Sequence, residues 1–173
     1  MVEKQWIYEE EDDHSSRYLL GHVAKRNIIC FGINPSTAKP ENLDNTLKSV
    51  DRVSTRNGYD GWIMLNLYPQ RATDPKNIHN KFNKKIHQKN LDIISNNLFD
   101  NCTIWAAWGG NITIRSYLVS CLRDIYDLTK EIECSWNTID DRIYEHPRHP
   151  LYLPEKATIK KFDIDLYLKR FKI

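Results

Sequence analysis

Three strand-length apolar runs, each closed by turn-forming residues and followed by a helix-like segment, constrain this chain more than any other feature. They are Asn27-Ile-Ile-Cys-Phe-Gly-Ile-Asn34, Gly61-Trp-Ile-Met-Leu-Asn-Leu67 and Thr103-Ile-Trp-Ala-Ala-Trp108. Continuous apolar runs suit strands covered on both faces, as in a parallel sheet, better than strands with one wet face. Pro35 stops the first run, and a helix is predicted over residues 44–57, where Gly58 ends it. Leu91, Ile94 and Leu98 mark a second helix. Ile114, Leu118, Cys121, Leu122 and Ile125 mark a third, and Ile164, Tyr167, Leu168 and Phe171 a closing one. This alternation predicts an α/β chain: a three-layer α/β/α domain around a central, mostly parallel four-stranded sheet.

Shorter strands are predicted over residues 5–10 and 17–23, as a loose hairpin, and over 131–136 and 142–145, around a turn at 137–141. A length of 173 residues with 40% hydrophobic and 28% charged residues fits one domain, with residues 1–25 as an amino-terminal extension. No apolar run approaches the roughly 18 residues of a membrane span. Glu3, Glu9, Glu10 and Glu11 occupy the place of a basic and then apolar leader, so a cytoplasmic protein without membrane contact is expected. Cys30, Cys102, Cys121 and Cys134 form no C-x-x-C pair, which points to reduced, mostly buried thiols and to no metal or other cofactor. Residues 1–14 carry a net charge of −5 in a chain of +2, leaving +7 for the rest, so near-neutrality reads as a basic body behind an acidic leader.

In sheets of this kind ligands bind at the carboxyl ends of the strands. Gly32 there permits close backbone approach, and Pro35 holds Asn34 away from helical angles. Asn34, Ser36 and Thr37 serve equally well to build a turn and cap a helix. Asn66 ends the second run, where a buried carboxamide must find partners, and its acceptor and donors match the O4 and N3 edge of a pyrimidine. His146 and His149 stand in a Pro-punctuated loop, available to a ligand. Lys76, Lys81, Lys84, Lys85 and Lys89 share a stretch without acids that could neutralise phosphates, or simply be solvated.

The blocks Arg17-Tyr-Leu-Leu20, Asn34-Pro-Ser-Thr-Ala38, Asn66-Leu67, Arg71-Ala-Thr-Asp-Pro75, Ala107-Trp-Gly109 and His146-Pro-Arg-His-Pro-Leu-Tyr152 resemble a bacterial domain-of-unknown-function family across nearly the whole chain. In the same order they resemble the uracil-DNA glycosylase superfamily, with its G-I-N-P loop, L-L-L-N strand, W-G strand end and H-P-S-P-L loop. That resemblance implies a glycosylase-like fold in which a flipped base enters the pocket. It makes Gly32, Ile33, Asn34, Pro35 and Ser36 the water-placing loop and Asn66 the base reader. The histidine comes from His146 or His149, in two registers that leave Leu151 or Leu153 as the wedge.

The departures weaken the chemistry. Breaking an N-glycosidic bond builds positive charge on the sugar, which a carboxylate stabilises. Asn34 stands where the main branch has Asp. A charge about 4 Å away at an effective dielectric near 20 is worth roughly 4 kcal/mol, about a thousandfold in rate. Ser36-Thr37 replaces the bulky pair after the proline, and no aromatic residue lies between Thr37 and Tyr59 to stack on a base. The balance favours a pseudoenzyme that binds DNA or a DNA-mimicking acidic inhibitor protein. The alternatives are a slow or altered DNA glycosylase using Asn34, Asn66 and one histidine, and a protein binding a nucleobase, nucleotide or other small ligand through Arg71 and its neighbours.

Overall fold

The computed structural model describes residues 5–139 and 145–172; the strand predicted at 142–145 lies largely outside them. The described chain forms seven strands, β1 (Gln5–Glu10), β2 (Arg17–Val23), β3 (Asn27–Gly32), β4 (Gly61–Asn66), β5 (Thr103–Ala106), β6 (Ser135–Ile139) and β7 (Ile159–Lys161), in one sheet ordered β1-β2-β4-β3-β5-β6-β7. Four α-helices accompany them: α1 (Asn45–Arg56), α2 (Lys84–Asn97), α3 (Ser116–Lys130) and α4 (Ile164–Lys169).

The sheet corrects the predicted architecture. It is seven-stranded and mixed, not a central, mostly parallel four-stranded sheet of the uracil-DNA glycosylase type. β1/β2, β2/β4 and β6/β7 pair antiparallel, and β4/β3, β3/β5 and β5/β6 pair parallel. Strand partners depend on chain return and not on local pattern, which is why the amino-terminal segments looked like an extension. Leu20 is aligned with Met64 and His22 with Trp62, so β2 is an interior strand. β6 runs through residues 137–139, where a turn was expected.

The pleat sends alternate residues to opposite faces. Ile28, Cys30, Trp62, Met64 and Trp105 pack with Leu47, Val50 and Val53 of α1. Ile29, Phe31, Ile63, Leu65 and Ile104 pack with α2, α3 and α4 through Ile94, Leu118, Leu122, Ile125 and Leu168. Asp44 caps α1 by accepting from the Leu47 amide at 2.8 Å, so apolar positions 47, 50 and 53 turn toward the sheet together.

The cysteines also depart from expectation. Cys102 and Cys134 form a disulfide across 32 residues, with Cα atoms 4.7 Å apart, while Cys30 and Cys121 are buried thiols. The pair meets because Cys102 immediately precedes β5 and Cys134 immediately precedes its parallel neighbour β6. No described helix is long and apolar enough to cross a membrane.

Candidate functional site

Beyond the carboxyl ends of β3, β4 and β5 lies a cavity of about 490 Å³. One wall is the loop after β3 and another the first turn of α1, Asp44 to Leu47. Met64, Trp108 and the His149 loop complete it.

The loop after β3 is held in place by its own polar groups. Asn34 Nδ2 donates to the carbonyls of Ala72 at 2.9 Å and Pro35 at 3.1 Å, with a longer contact to Gln70 at 3.4 Å. The Ala72 amide returns a bond to the Pro35 carbonyl at 2.9 Å. The amide end of Asn34 is thus spent on stitching two loops together. Ser36 donates to Asp44, and Arg71 donates to the Ser36 carbonyl. Arg71 lies outside the cavity lining and pairs with Glu10 at 2.7 Å and with the Tyr8 hydroxyl at 2.7 Å. Its place is a clamp between β1 and the two loops.

Asn66 is 1% exposed, and neither Nδ2 nor Oδ1 has a hydrogen-bond partner. It is aligned with Gly32 in the parallel pair and shares the α1 face of the sheet with Met64 two residues before it. A Cβ on Gly32 would come within 3.1 Å of Asn66 Oδ1 and 2.6 Å of Met64 Cε. Asn66 is not among the residues that line the cavity; Gly32 and Met64, which do line it, stand beside the carboxamide, and a side chain on Gly32 would crowd both.

The two histidines part company. His149 lines this cavity and is exposed at its mouth. Its Nδ1 accepts from the Leu151 amide at 3.2 Å, placing the proton of the neutral ring on Nε2. Desolvation by the surrounding protein lowers its pKa, against the pull of the Asp44 carboxylate, and so favours the neutral ring near pH 7. The loop is seated by Gly109, whose φ of +66° suits glycine and whose amide donates to the Pro147 carbonyl at 2.8 Å. Ser49 of α1 donates to the Pro150 carbonyl at 2.6 Å. His146 instead lines a second cavity of about 330 Å³, bonded to the Tyr167 hydroxyl at 2.8 Å and stacked on Phe171. Burial and then Arg170 lower its pKa.

Leu151 lines the first cavity, whereas Leu153 is 5% exposed and belongs to the α1-side core. Lys81, Lys84 and Lys85 surround a shallow depression with Phe82, which is 43% exposed. Lys76 is exposed. Lys89 stands apart from them, paired with Glu11 at 2.9 Å and lying over the Tyr18 ring. Among the described residues, no group of three His, Cys, Asp or Glu side chains is placed to hold a metal ion.

A family described as a protein of unknown function, DUF1643, matches residues 17–151, which include every strand from β2 to β6 and the His149 loop as far as Leu151. The chain belongs to the DUF1643 family. No curated protein and no solved structure matches it.

The DUF1643 cavity also contains residues that motif reading passed over. Arg17 is 2% exposed and donates through Nη1 to the Ala38 carbonyl at 2.9 Å. Burial, with Arg71 nearby, lowers its pKa to about 10, against the opposing pull of Asp44. Asp44 supplies a carboxylate, and Trp108 and Tyr152 supply aromatic rings. Tyr152 is 83% exposed and has a φ of +62°, uncommon for a side chain of its size. Asp44 had a local signal, as a capping residue ahead of an apolar helix face. Arg17 opens one of the blocks shared with the family, yet as the first residue of a strand it carried no sign of a place in the cavity.

Proposed function

We propose that this cavity binds a small ligand bearing a nucleobase. Asn66, which does not itself line the cavity but lies beside Gly32 and Met64 of its wall and is reached when the Met64 side chain moves aside, carries the reading. A buried carboxamide with an acceptor and a donor both unpaired costs stability, and that cost is offset when a ligand supplies the complementary pair. A planar edge offering N–H beside C=O, as in uracil, thymine or hypoxanthine, fits it. The volume of about 490 Å³ lies in the usual range for small-molecule sites, about 300–1,000 Å³, and Trp108 and Tyr152 bring apolar rings to the walls. Calorimetric titration with uracil, uridine and cytidine tests the reading. Binding of uridine that is abolished in Asn66→Ala is expected; binding unchanged in Asn66→Ala would overturn it.

Excision of the base is a second reading, favoured by Asp44. The carboxylate that Asn34 does not supply is present in the same cavity, near enough to His149 to act on its charge. The carboxylate would stabilise the sugar cation as the C1′–N bond breaks, water would add to C1′, and the proton it loses would neutralise the departing base anion, which the histidine Nε2–H stabilises by a hydrogen bond. Incubation with uracil-containing and mismatched oligonucleotides followed by alkali would reveal strand breaks. Intact strands from every substrate would leave binding as the function. A polynucleotide, or an acidic protein that mimics one, would engage Lys76, Lys81, Lys84 and Lys85 with less help from Lys89, which already has a carboxylate partner.

A further inference from the structure

Arg17 is the group least accounted for by the fold. It is 2% exposed, lines the cavity, and has no carboxylate within ion-pair distance among the described residues. Its Nε is buried without a hydrogen-bond partner, and Nη1 donates to a neutral carbonyl, that of Ala38. The neighbouring Arg71 carries its own carboxylate, Glu10. A buried guanidinium is normally matched to an anion, because leaving water without one is costly. Departures of this kind from local consistency concentrate at functional sites.

The opposite wall is the amino terminus of a 12-residue helix. Asp44 caps the Leu47 amide and leaves the Asn45 and Thr46 amides as further first-turn donors, both residues lining the cavity. Asp44 itself is anionic, but one oxygen takes the Leu47 amide and the other the Ser36 hydroxyl. Arg17 and the first turn of α1 therefore line one cavity, and Arg17 is hydrogen-bonded to no carboxylate, although Asp44 and Glu10 lie near enough to act on its charge. A guanidinium offers parallel N–H groups that fit the oxygens of a phosphate.

We propose that Arg17 and the first turn of α1 form an oxyanion subsite, and that the ligand of the cavity is a nucleotide rather than a free base or a neutral nucleoside. This deepens the nucleobase reading by naming the second group the ligand must carry. Unlike a surface lysine, a cation at this depth selects a small terminal phosphate.

Calorimetric titration of the full chain with uridine, uridine monophosphate and inorganic phosphate tests it, in wild type, Arg17→Lys, Thr46→Glu and Asn66→Ala. The monophosphate is expected to bind about tenfold or more tightly than uridine. Inorganic phosphate should compete with the monophosphate, and Thr46→Glu should remove the preference while uridine binding persists. Arg17→Lys keeps the charge and loses the paired donors, so it should retain only part of the preference. Thr46→Glu, on the surface of the cavity, keeps the test open if Arg17→Lys misfolds. Equal affinities for uridine and its monophosphate, without competition by phosphate, would overturn the subsite and leave the nucleobase reading standing. Phosphate binding that depends on Arg17, with no discrimination by base, would support the subsite and overturn the nucleobase reading.

Discussion

Glu10 Oε2 lies 2.7 Å from Arg71 Nη2, joining edge strand β1 to the loop that follows β4. The same carboxyl group accepts from the Tyr8 hydroxyl at 2.7 Å and sits 3.7 Å from Lys39 through its other oxygen. Glu11 likewise binds Tyr18 and Lys89. Glu10 and Glu11 of the acidic amino-terminal stretch are thus paired with the basic body, Glu10 from within the sheet.

Acid sensitivity follows from that pair. Burial raises the Glu10 pKa, but bonds from Tyr8, Arg71 and His14 outweigh it and hold the carboxyl down to about 2, from an ordinary 4.5. A group with a depressed folded pKa stabilises above its unfolded value and loses that contribution as pH falls toward the folded one. Glu10→Gln should therefore cost about 1–3 kcal/mol at neutral pH, allowing for solvent screening. Urea midpoints should show this deficit shrinking between pH 4.5 and about 2. A deficit independent of pH would show that the carboxylate's charge contributes nothing.

Restoring a carboxylate at Asn34 should damage the protein. Asn34→Asp would turn acceptor oxygens toward the carbonyls of Pro35 and Ala72. Loss of the donors in a partly buried loop should cost about 2 kcal/mol or more by chemical denaturation. An unchanged midpoint together with new base-excision activity would refute the clamp role.

Gly32→Ala separates fold from ligand. The added methyl meets the flexible end of Met64 before it meets Asn66, so stability should change by less than about 1.5 kcal/mol. Uridine affinity should fall by about tenfold or more, because the path to Asn66 narrows. Retained affinity in a folded variant would place the base elsewhere.

Reduction of Cys102–Cys134 should lower stability without touching the cavity, since the bridge lies at the opposite ends of β5 and β6. For a 32-residue loop the loss is about 3–4 kcal/mol, and Cys102→Ser with Cys134→Ser should reproduce it in a reductant-insensitive protein. Thermal unfolding with and without reductant is the measurement; identical curves for wild type would exclude a contribution from the bridge.

Legibility differed from one kind of feature to another. β3, β4 and β5 follow from continuous apolar runs, and α1 from a capping Asp44 before buried positions 47, 50 and 53. β7, with Ile159-Lys-Lys161, has no apolar alternation to mark it and exists because it pairs with β6. His146 and His149 are three residues apart and chemically alike, yet Gly109, Ser49 and Tyr167 send them to different cavities.

By itself the amino-acid sequence determined which segments in the middle of the chain are strands and which are helices, because burial on both faces imprints a local apolar pattern, although α2 begins at Lys84, ahead of its marked apolar positions. It also determined which polar residues stand at the strand exits. Only the tertiary structure decided that β2 pairs with β4, that the Asn34 amide bridges two loops, that the Asn66 carboxamide is buried without a partner, and that Arg17 lies buried at the cavity without a hydrogen-bonded carboxylate. Those properties depend on which distant groups share a neighbourhood, and for a polar side chain the presence or absence of a partner decides its role.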